Sequence, residues 1–220
     1  MYFDFHTHLS NKKNSLYNYR VGKQPILIND APPFSAGIHP WDLNKINLGK
    51  AYKELRDLAV CNKCLAIGEL GLDKKIGTDL DLQIDVLREQ IQIASSCQQK
   101  VLIIHCVRAY QEIIFEKKNS NDDLIWVLHA FKGSKELIES LLKHDFYFSL
   151  GVDLLNEDSK ISRNIVHIPL NRLLLETDDS SVEIEDVYLA AAKLKGIEIG
   201  KLQDQIAKNV EKLIEYNSFK

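Results

Sequence analysis

No stretch of this 220-residue chain approaches the ~18 consecutive apolar residues of a membrane span. Its first residues also lack the basic-then-apolar layout of a secretory signal. The expectation is a chain that begins at its first strand, makes no membrane contact and resides in the cytoplasm. A basic surplus is missing too: 28 Lys and Arg stand against 31 Asp and Glu, a net charge of −3. Overall charge therefore does not draw this chain to nucleic acid, and any such contact has to come from a local patch. Cysteine is scarce. Cys61 and Cys64 form a single C-x-x-C without the second pair a zinc ribbon needs, and Cys97 and Cys106 do not supply it, so reduced structural thiols are expected. Repeats, low-complexity tracts and long linkers are absent, and 45% hydrophobic with 27% charged residues is an ordinary globular balance for one domain over residues 1–220. The sequence also holds no G-x-S-x-G elbow, phosphate-binding P-loop, G-x-G-x-x-G or H-E-x-x-H. Cys106 follows His105 directly, and neighbours on a strand face opposite sides, which argues against a Cys–His nucleophile pair.

What is present is alternation. Short apolar runs, rich in β-branched or aromatic residues, read as strands: "YFDF" near the start, "PILI" at 25–28, "FSAGI" at 34–38, "LAIG" at 65–68, "VLII" at 101–104, "LIWVL" at 124–128, "FYFSL" at 146–150 and "RLLLE" at 172–176. Helical periods lie between them. Leu80, Ile84, Leu87, Ile91 and Ala94 form one apolar stripe, and Leu202, Ile206, Val210 and Leu213 form another. Residues 45–60, 109–118, 135–143 and 185–195 also read as helices. Strand–helix alternation implies parallel neighbours, and eight strands imply a (β/α)8 barrel of the TIM type. Between "PILI" and "FSAGI" lie only five residues, too few for a parallel crossover. Either that run is antiparallel or irregular, or the barrel is distorted, with one crossover helix missing near residues 29–34.

Metal-capable side chains stand at the C-terminal ends of these runs. "FDFHTHLS" carries Asp4, His6 and His8 at alternate positions, which project to one face of a strand. "GIHPW" places His39 after the third run, "AIGELGLD" Glu69 after the fourth, "VLIIHC" His105 after the fifth, "LIWVLHAF" His129 after the sixth and "LLLETDD" Asp178 after the last. Parallel-barrel strand ends share one face, where active sites are built. Any one strand-end histidine reads first as a hydrogen-bonded core residue. Five of the seven histidines gathered at strand ends read as a metal site. His144 and His167 lie off those ends and read as ordinary surface or helix-end residues. Imidazole with carboxylate suits zinc, manganese, iron or nickel, whereas magnesium prefers oxygen and water. Such a set can hold two cations ~3.5–4 Å apart if one carboxylate bridges them, the usual machinery for phosphoester hydrolysis. Glu69, between Gly68 and Gly71, has the backbone setting for that bridge.

The ordered set "DFHTHL", "GIHPW", "AIGELGLD", "IHC", "HAFKGS", "SLG" and "LLLETD", with "IAKNVEKLI" near the end, resembles the TatD family of metal-dependent deoxyribonucleases over nearly the whole chain. The resemblance implies a distorted barrel with two divalent metal ions, zinc, manganese or magnesium. His6, His8 and Asp178 would hold one, His105 and His129 the other, and Glu69 would bridge. His39 would touch the substrate phosphate. The implied activity is metal-dependent cleavage of DNA, often from the 3′ end; deacylation of D-aminoacyl-tRNA is also attributed to members. DNA or another phosphodiester is the expected partner, with no obligate protein partner. The resemblance is to a somewhat shortened member. Asp179, Ser180 and Ser181 stand where the family has a small residue and proline, and the basic residue after "IHC" is displaced by Val107 to Arg108. These departures fall in loops that would shape the substrate cleft.

The expected chemistry is attack by a water activated between two metal ions, with Asp178 as catalytic general base. His39, Lys132 of "KGS" and Arg108 are the expected substrate-binding residues. For Lys132 a solvated loop charge is the alternative, and for Trp41 the choice is between stacking on a base and packing at the rim. A PHP-type phosphoesterase shares the Asp-x-His-x-His start. An amidohydrolase acting on an amide or lactone commonly bridges its metals with a carbamylated lysine, where this chain offers Glu69. A barrel kept only for binding would lack a ligand, and all six are present.

Overall fold

The computed structural model describes residues 1–23, 31–120 and 123–218, and the side chains of these through 214. Eight strands, β1 (Asp4–Thr7), β2 (Ser15–Arg20), β3 (Phe34–Gly37), β4 (Cys64–Asp73), β5 (Val101–Val107), β6 (Ile125–Leu128), β7 (Tyr147–Leu150) and β8 (Leu173–Leu175), pair in chain order. Every pairing is parallel. The ring is drawn together where the His8 amide donates to Asp178 O at 3.0 Å and the Asp178 amide donates to His6 O at 2.9 Å. Both faces of these strands are covered, so β5 reads Val101, Leu102, Ile103 and Ile104 without a polar break, all buried. The fold is the expected (β/α)8 barrel.

Helices α1 (Leu48–Ala59), α2 (Leu80–Ser96), α3 (Tyr110–Lys118), α4 (Lys135–Leu142), α5 (Lys160–Asn164), α6 (Ile184–Lys195) and α7 (Ile199–Ser218) follow the later strands. Their ends carry ordinary cap chemistry. The Asn47 side chain accepts the Lys50 amide before α1, Asp79 accepts those of Asp81 and Leu82 before α2, and Gly196 closes α6 in the left-handed region. Leu202, Ile206, Val210 and Leu213 are buried as their spacing predicts. On α2 the buried face is rotated. Leu80 and Ile84 are only half-buried, while Gln83 and Gln90 join Val86, Leu87 and Ile91 inside. Among the described residues no helix is long and apolar enough to cross a membrane.

The second strand differs from the sequence reading. It is "SLYNYR", Ser15–Arg20; "PILI" lies wholly outside the described residues, as does part of the 29–34 stretch expected to miss its helix. The helix-free crossover on view is residues 8–14, between β1 and β2. A four-residue strand rises only ~13 Å, and seven residues can extend ~23 Å, so the chain returns to the start of a parallel neighbour without a helix.

The β4–β5 ladder places the key acid. Gly68 pairs with Ile103 and Leu70 with Ile104, leaving Glu69 as the extra residue of a bulge. Bulges re-aim side chains, and this one turns Glu69 into the mouth. Gly68 and Gly71 have φ of +154° and +143°, and a Cβ on them would lie 2.7 Å and 2.0 Å from the carbonyl oxygens of Ile103 and His105. Only glycine permits both the backbone and the approach.

Candidate metal centre

Glu69 lies among five imidazoles, and its two oxygens divide them. Oε1 is 2.6 Å from His129 Nε2, 2.9 Å from His105 Nδ1 and 3.0 Å from His39 Nε2. Oε2 is 3.8 Å from His6 Nε2 and 3.9 Å from His8 Nε2. Asp178 closes the second side, its Oδ1 at 3.2 Å from His8 Nε2 and 3.6 Å from His6 Nε2. All six expected metal residues and His39 thus converge at the C-terminal mouth. Within each of the triples His6–His129–Asp178, His6–His8–Glu69 and His39–Glu69–His105, the donor atoms lie within 4.8 Å of one another.

These residues fit divalent cations. His6 is fully buried and neither of its ring nitrogens makes a hydrogen bond. An unsatisfied buried polar group costs about 1–3 kcal/mol, a cost that ligation would remove. A nitrogen-rich donor set with two carboxylates suits zinc or manganese better than magnesium.

Carboxylates behind the rings set their tautomers. Asp73 Oδ2 accepts the Trp41 indole N–H at 2.8 Å and stands 3.5 Å from His105 Nε2. Glu176 Oε1 accepts the Ala130 amide at 2.6 Å and stands 3.5 Å from His129 Nδ1. With a cation bound, a proton on the nitrogen facing each carboxylate would leave the other nitrogen's lone pair free to ligate it; without one, that nitrogen donates to Glu69. His39 is different. Its Nδ1 accepts the Trp41 amide at 3.1 Å, so the proton of the neutral ring sits on Nε2 and points at Glu69. That makes His39 a hydrogen-bond donor, although its position alone would also suit a ligand.

The electrostatics follow. Burial would raise the Glu69 carboxyl, but the His129 charge and hydrogen bonds from His105, His129 and His39 outweigh it and hold the acid well below its ordinary range. Burial likewise opposes charge on His129, and Glu69 and Glu176 overcome it, holding that imidazole well above its usual value. Asp178 is held well below the carboxylate range by His6 and His8 against the effect of burial. His39 is pushed down by burial. Cys106 is pushed up to about 12, again by burial, and stays a thiol.

The remaining expected residues line the same cleft, about 700 Å³ in volume, which Glu69, Asp178, Arg108 and Lys132 share with Arg20 and Lys75. Arg108 is exposed at its rim. Lys132 pairs with Asp153 at 2.6 Å. Trp41 is half exposed and its indole N–H is tied to Asp73, so one ring edge is packed while the rest faces the cleft. Sequence reading missed Asn18, Asp73 and Glu176. Asn18 donates to Glu69 Oε2 at 3.2 Å and accepts the Glu69 amide at 3.0 Å, holding both ends of the bulged residue. It was legible in principle: Tyr17 and Tyr19 alternate around it between the turn residues Asn14 and Gly22, a strand signal. Asp4, third of the N-terminal triad, does not join the centre; its carboxylate accepts the Thr177 amide at 2.9 Å and hydroxyl at 2.6 Å.

Known proteins resemble this chain in sequence and in fold. Over 171 residues the chain is 32% identical to an uncharacterized metal-dependent hydrolase of Buchnera aphidicola, covering 74% of this chain and 62% of that one. Over 200 residues it is 27% identical to a protein of Erwinia tasmaniensis named 3'-5' ssDNA/RNA exonuclease TatD, covering 81% and 76%. Other matches cover 49% and 59% of their relatives, so the chain spans roughly half to two thirds of several relatives it matches. The crystal structure of a TatD homologue from Escherichia coli superposes with a TM-score of 0.82 over 97% of this chain and 98% of that one, at 20% identity, which speaks to the fold. The family model described as TatD related DNase matches residues 27–215, beginning after β1, so the likeness of the strand that carries His6 and His8 rests on the geometry above. With the mouth, the barrel and that match in agreement, this chain belongs to the TatD family of metal-dependent hydrolases.

Proposed function

We propose that this chain hydrolyses phosphodiester bonds in single-stranded nucleic acid using two divalent metal ions. The observation that carries the reading is the partition at Glu69. One carboxylate oxygen faces His105 and His129, and the other faces His6 and His8. A carboxylate that offers one oxygen to each of two imidazole pairs is the arrangement a bridging ligand needs. His6, His8 and Asp178 would hold one ion, His105 and His129 the other, with Glu69 between. When bound, the ions supply Lewis acidity to a phosphoryl oxygen and to the attacking water.

The chain's own residues do the rest. Asp178, kept ionised by His6 and His8 and about one-third exposed to the cleft, accepts the proton of the water as general base. The Nε2 proton that His39 gives to Glu69 would pass to a non-bridging phosphate oxygen when substrate binds; burial keeps the ring neutral, so this is a neutral hydrogen bond. Arg108 and Lys132 hold flanking phosphates as point charges. The relatives named as ssDNA/RNA nucleases make a nucleic-acid strand the first substrate to try, ahead of aminoacyl-tRNA, lactones or amides.

Metal analysis with a phosphodiesterase assay tests the assignment. Glu69→Ala is expected to lose both ions and all measurable turnover. Asp178→Asn is expected to lose turnover by about two to four orders of magnitude, the range for a general base, while keeping most of its metal. Full activity in either variant refutes the roles assigned to Glu69 and Asp178.

A further inference from the structure

The opposite end of the barrel carries a second charged cleft. It lies where the strands begin: Lys100 precedes β5, Ile125 opens β6, Tyr147 opens β7 and Arg172 precedes β8. Its volume is about 700 Å³. Among the described residues, Lys100, Lys117, Lys118, Lys143, Arg172 and Lys212 line it, against two acids, Asp123 and Asp145. The acids are engaged: Asp123 is 3.4 Å from Lys100, and Asp145 accepts from Arg172 at 2.7 Å. Lys118, Lys143 and Lys212 form no ion pair among the described residues. On a chain whose net charge is −3, a surplus of four positive side chains in one cleft is a concentration that needs a cause.

Helix ends explain part of it. α3 ends at Lys118 and α4 just before Lys143, and each C-terminus carries about −0.5 charge that a lysine offsets. Two such ends account for about one of the four. Lys118, Lys143 and Lys212 have no acid paired with them among the described residues. His144 in the same cleft registers this: after its slight burial, the charges of Lys118, Lys117 and Lys143 push its imidazole below the ordinary value.

We propose that this floor cleft binds the phosphate backbone of a single-stranded nucleic acid, apart from the catalytic mouth. That the strand is nucleic acid rests on the phosphodiesterase reading; the charge of the cleft does not. A concave site without an exposed large apolar side chain in its lining has nothing to insert into a bilayer. Its cations are five ammonium groups and one guanidinium, the latter already held by Asp145 and stacked on Tyr147 at 4.7 Å. Mobile point charges suit a repeating phosphate chain read without regard to sequence, whereas recognition of particular carboxylates favours free guanidinium forks. A long strand held at the floor keeps the protein on its substrate between encounters at the mouth.

The test is binding of fluorescent thirty-nucleotide oligo(dT) by the full chain in EDTA, where cleavage cannot contribute, as a function of salt. The triple variant Lys118→Ser, Lys143→Ser, Lys212→Ser is compared with wild type, and the single reversal Lys143→Glu serves as a second variant. Wild type is expected to bind. The triple variant is expected to lose at least about tenfold in affinity at low salt, and its log–log salt slope to fall by about 2, near 0.7 per phosphate contact on a single strand. Lys143→Glu is expected to weaken binding in the same direction. Hydrolysis of bis(p-nitrophenyl) phosphate, too short to reach the floor, is expected to be unchanged, so a failure of the catalytic reading shows separately. Equal affinity and slope in the triple variant overturn the proposal, as does absence of binding by wild type. Displacement of the oligonucleotide by poly-glutamate as readily as by unlabelled oligo(dT) overturns the choice of nucleic acid over an acidic polypeptide.

Discussion

Glu176 stands behind His129 as Asp73 stands behind His105, and this outer pair decides which ring nitrogens face Glu69. Glu176 is fully buried, its Oε2 has no partner, and its Oε1 stands 3.5 Å from His129 Nδ1. Glu176→Gln keeps an acceptor for the Ala130 amide and removes the charge. Such outer carboxylates typically contribute 10–100-fold in metal affinity. The expected outcome is a drop of about that size in zinc affinity, read by competition with a chelating dye, with an unchanged circular dichroism spectrum. Unaltered affinity would show that Glu176 only holds the Ala130 amide. The metal-capable residues were legible because histidine at a strand end is chemically unusual. Asp73 and Glu176 were not, because acids are common in any sequence and the meaning of these two comes from the ring each one faces; Asn18 was marked only by the strand signal around it.

At the scale of elements, α2 does more than cover the barrel. Gln90 accepts the Ile38 amide at 2.7 Å and donates to the Ile38 carbonyl at 3.1 Å. Gln83 does the same for Asp73, accepting its amide at 2.8 Å and donating to its carbonyl at 3.2 Å. Each amide side chain pairs with the backbone just past β3 or at the end of β4, beside His39 and Asp73. Gln90→Leu fits the volume but orphans two buried backbone groups at about 1–3 kcal/mol each. Urea unfolding is expected to show a loss of about 2–4 kcal/mol with little change in slope; a loss under ~0.5 kcal/mol would mean that water replaces the amide. The α2 stripe was read in part: Leu87, Ile91 and Ala94 are buried and Leu80 and Ile84 pack half-buried against the core, but the glutamines beside them were missed. Hydrophobic periodicity places Leu80 and Ile84 inward, but the helix is rotated so that two glutamines meet strand ends, and amphipathic counting has no term for a buried amide with backbone partners. β2 was misplaced for a related reason. "PILI" is the more apolar run, whereas "SLYNYR" holds Asn18 and Arg20 because its inward and mouthward positions serve Glu69 and the Asp42 carboxylate, which Arg20 reaches at 2.6 Å.

Across the whole molecule, the mouth joins ends of the chain that no local contact would hold together. His6 comes from the first strand and His8 from just past it, Glu69 and His105 from the middle, and Asp178 from beyond the eighth strand. The closure of β1 on Asp178 is two backbone hydrogen bonds, and β1 and β8 are only four and three residues long. A metal that ligates His6, His8 and Asp178 therefore clamps the seam of the barrel and binds the folded state alone. A ligand present at a hundred times its Kd adds about 2.7 kcal/mol. For a domain of this size that corresponds to a Tm increase of about 5–10 °C. Thermal unfolding in EDTA and with zinc or manganese is expected to show this increment, and Glu69→Ala is expected to abolish it. The increment should also shrink as pH falls through the imidazole range, because ligation requires the deprotonated rings. Equal Tm values with and without metal in wild type, at metal concentrations that support turnover, would mean that the seam is held by the chain's own contacts, the Asp4–Thr177 pair among them, and that the ions bind without bridging the first and last strands.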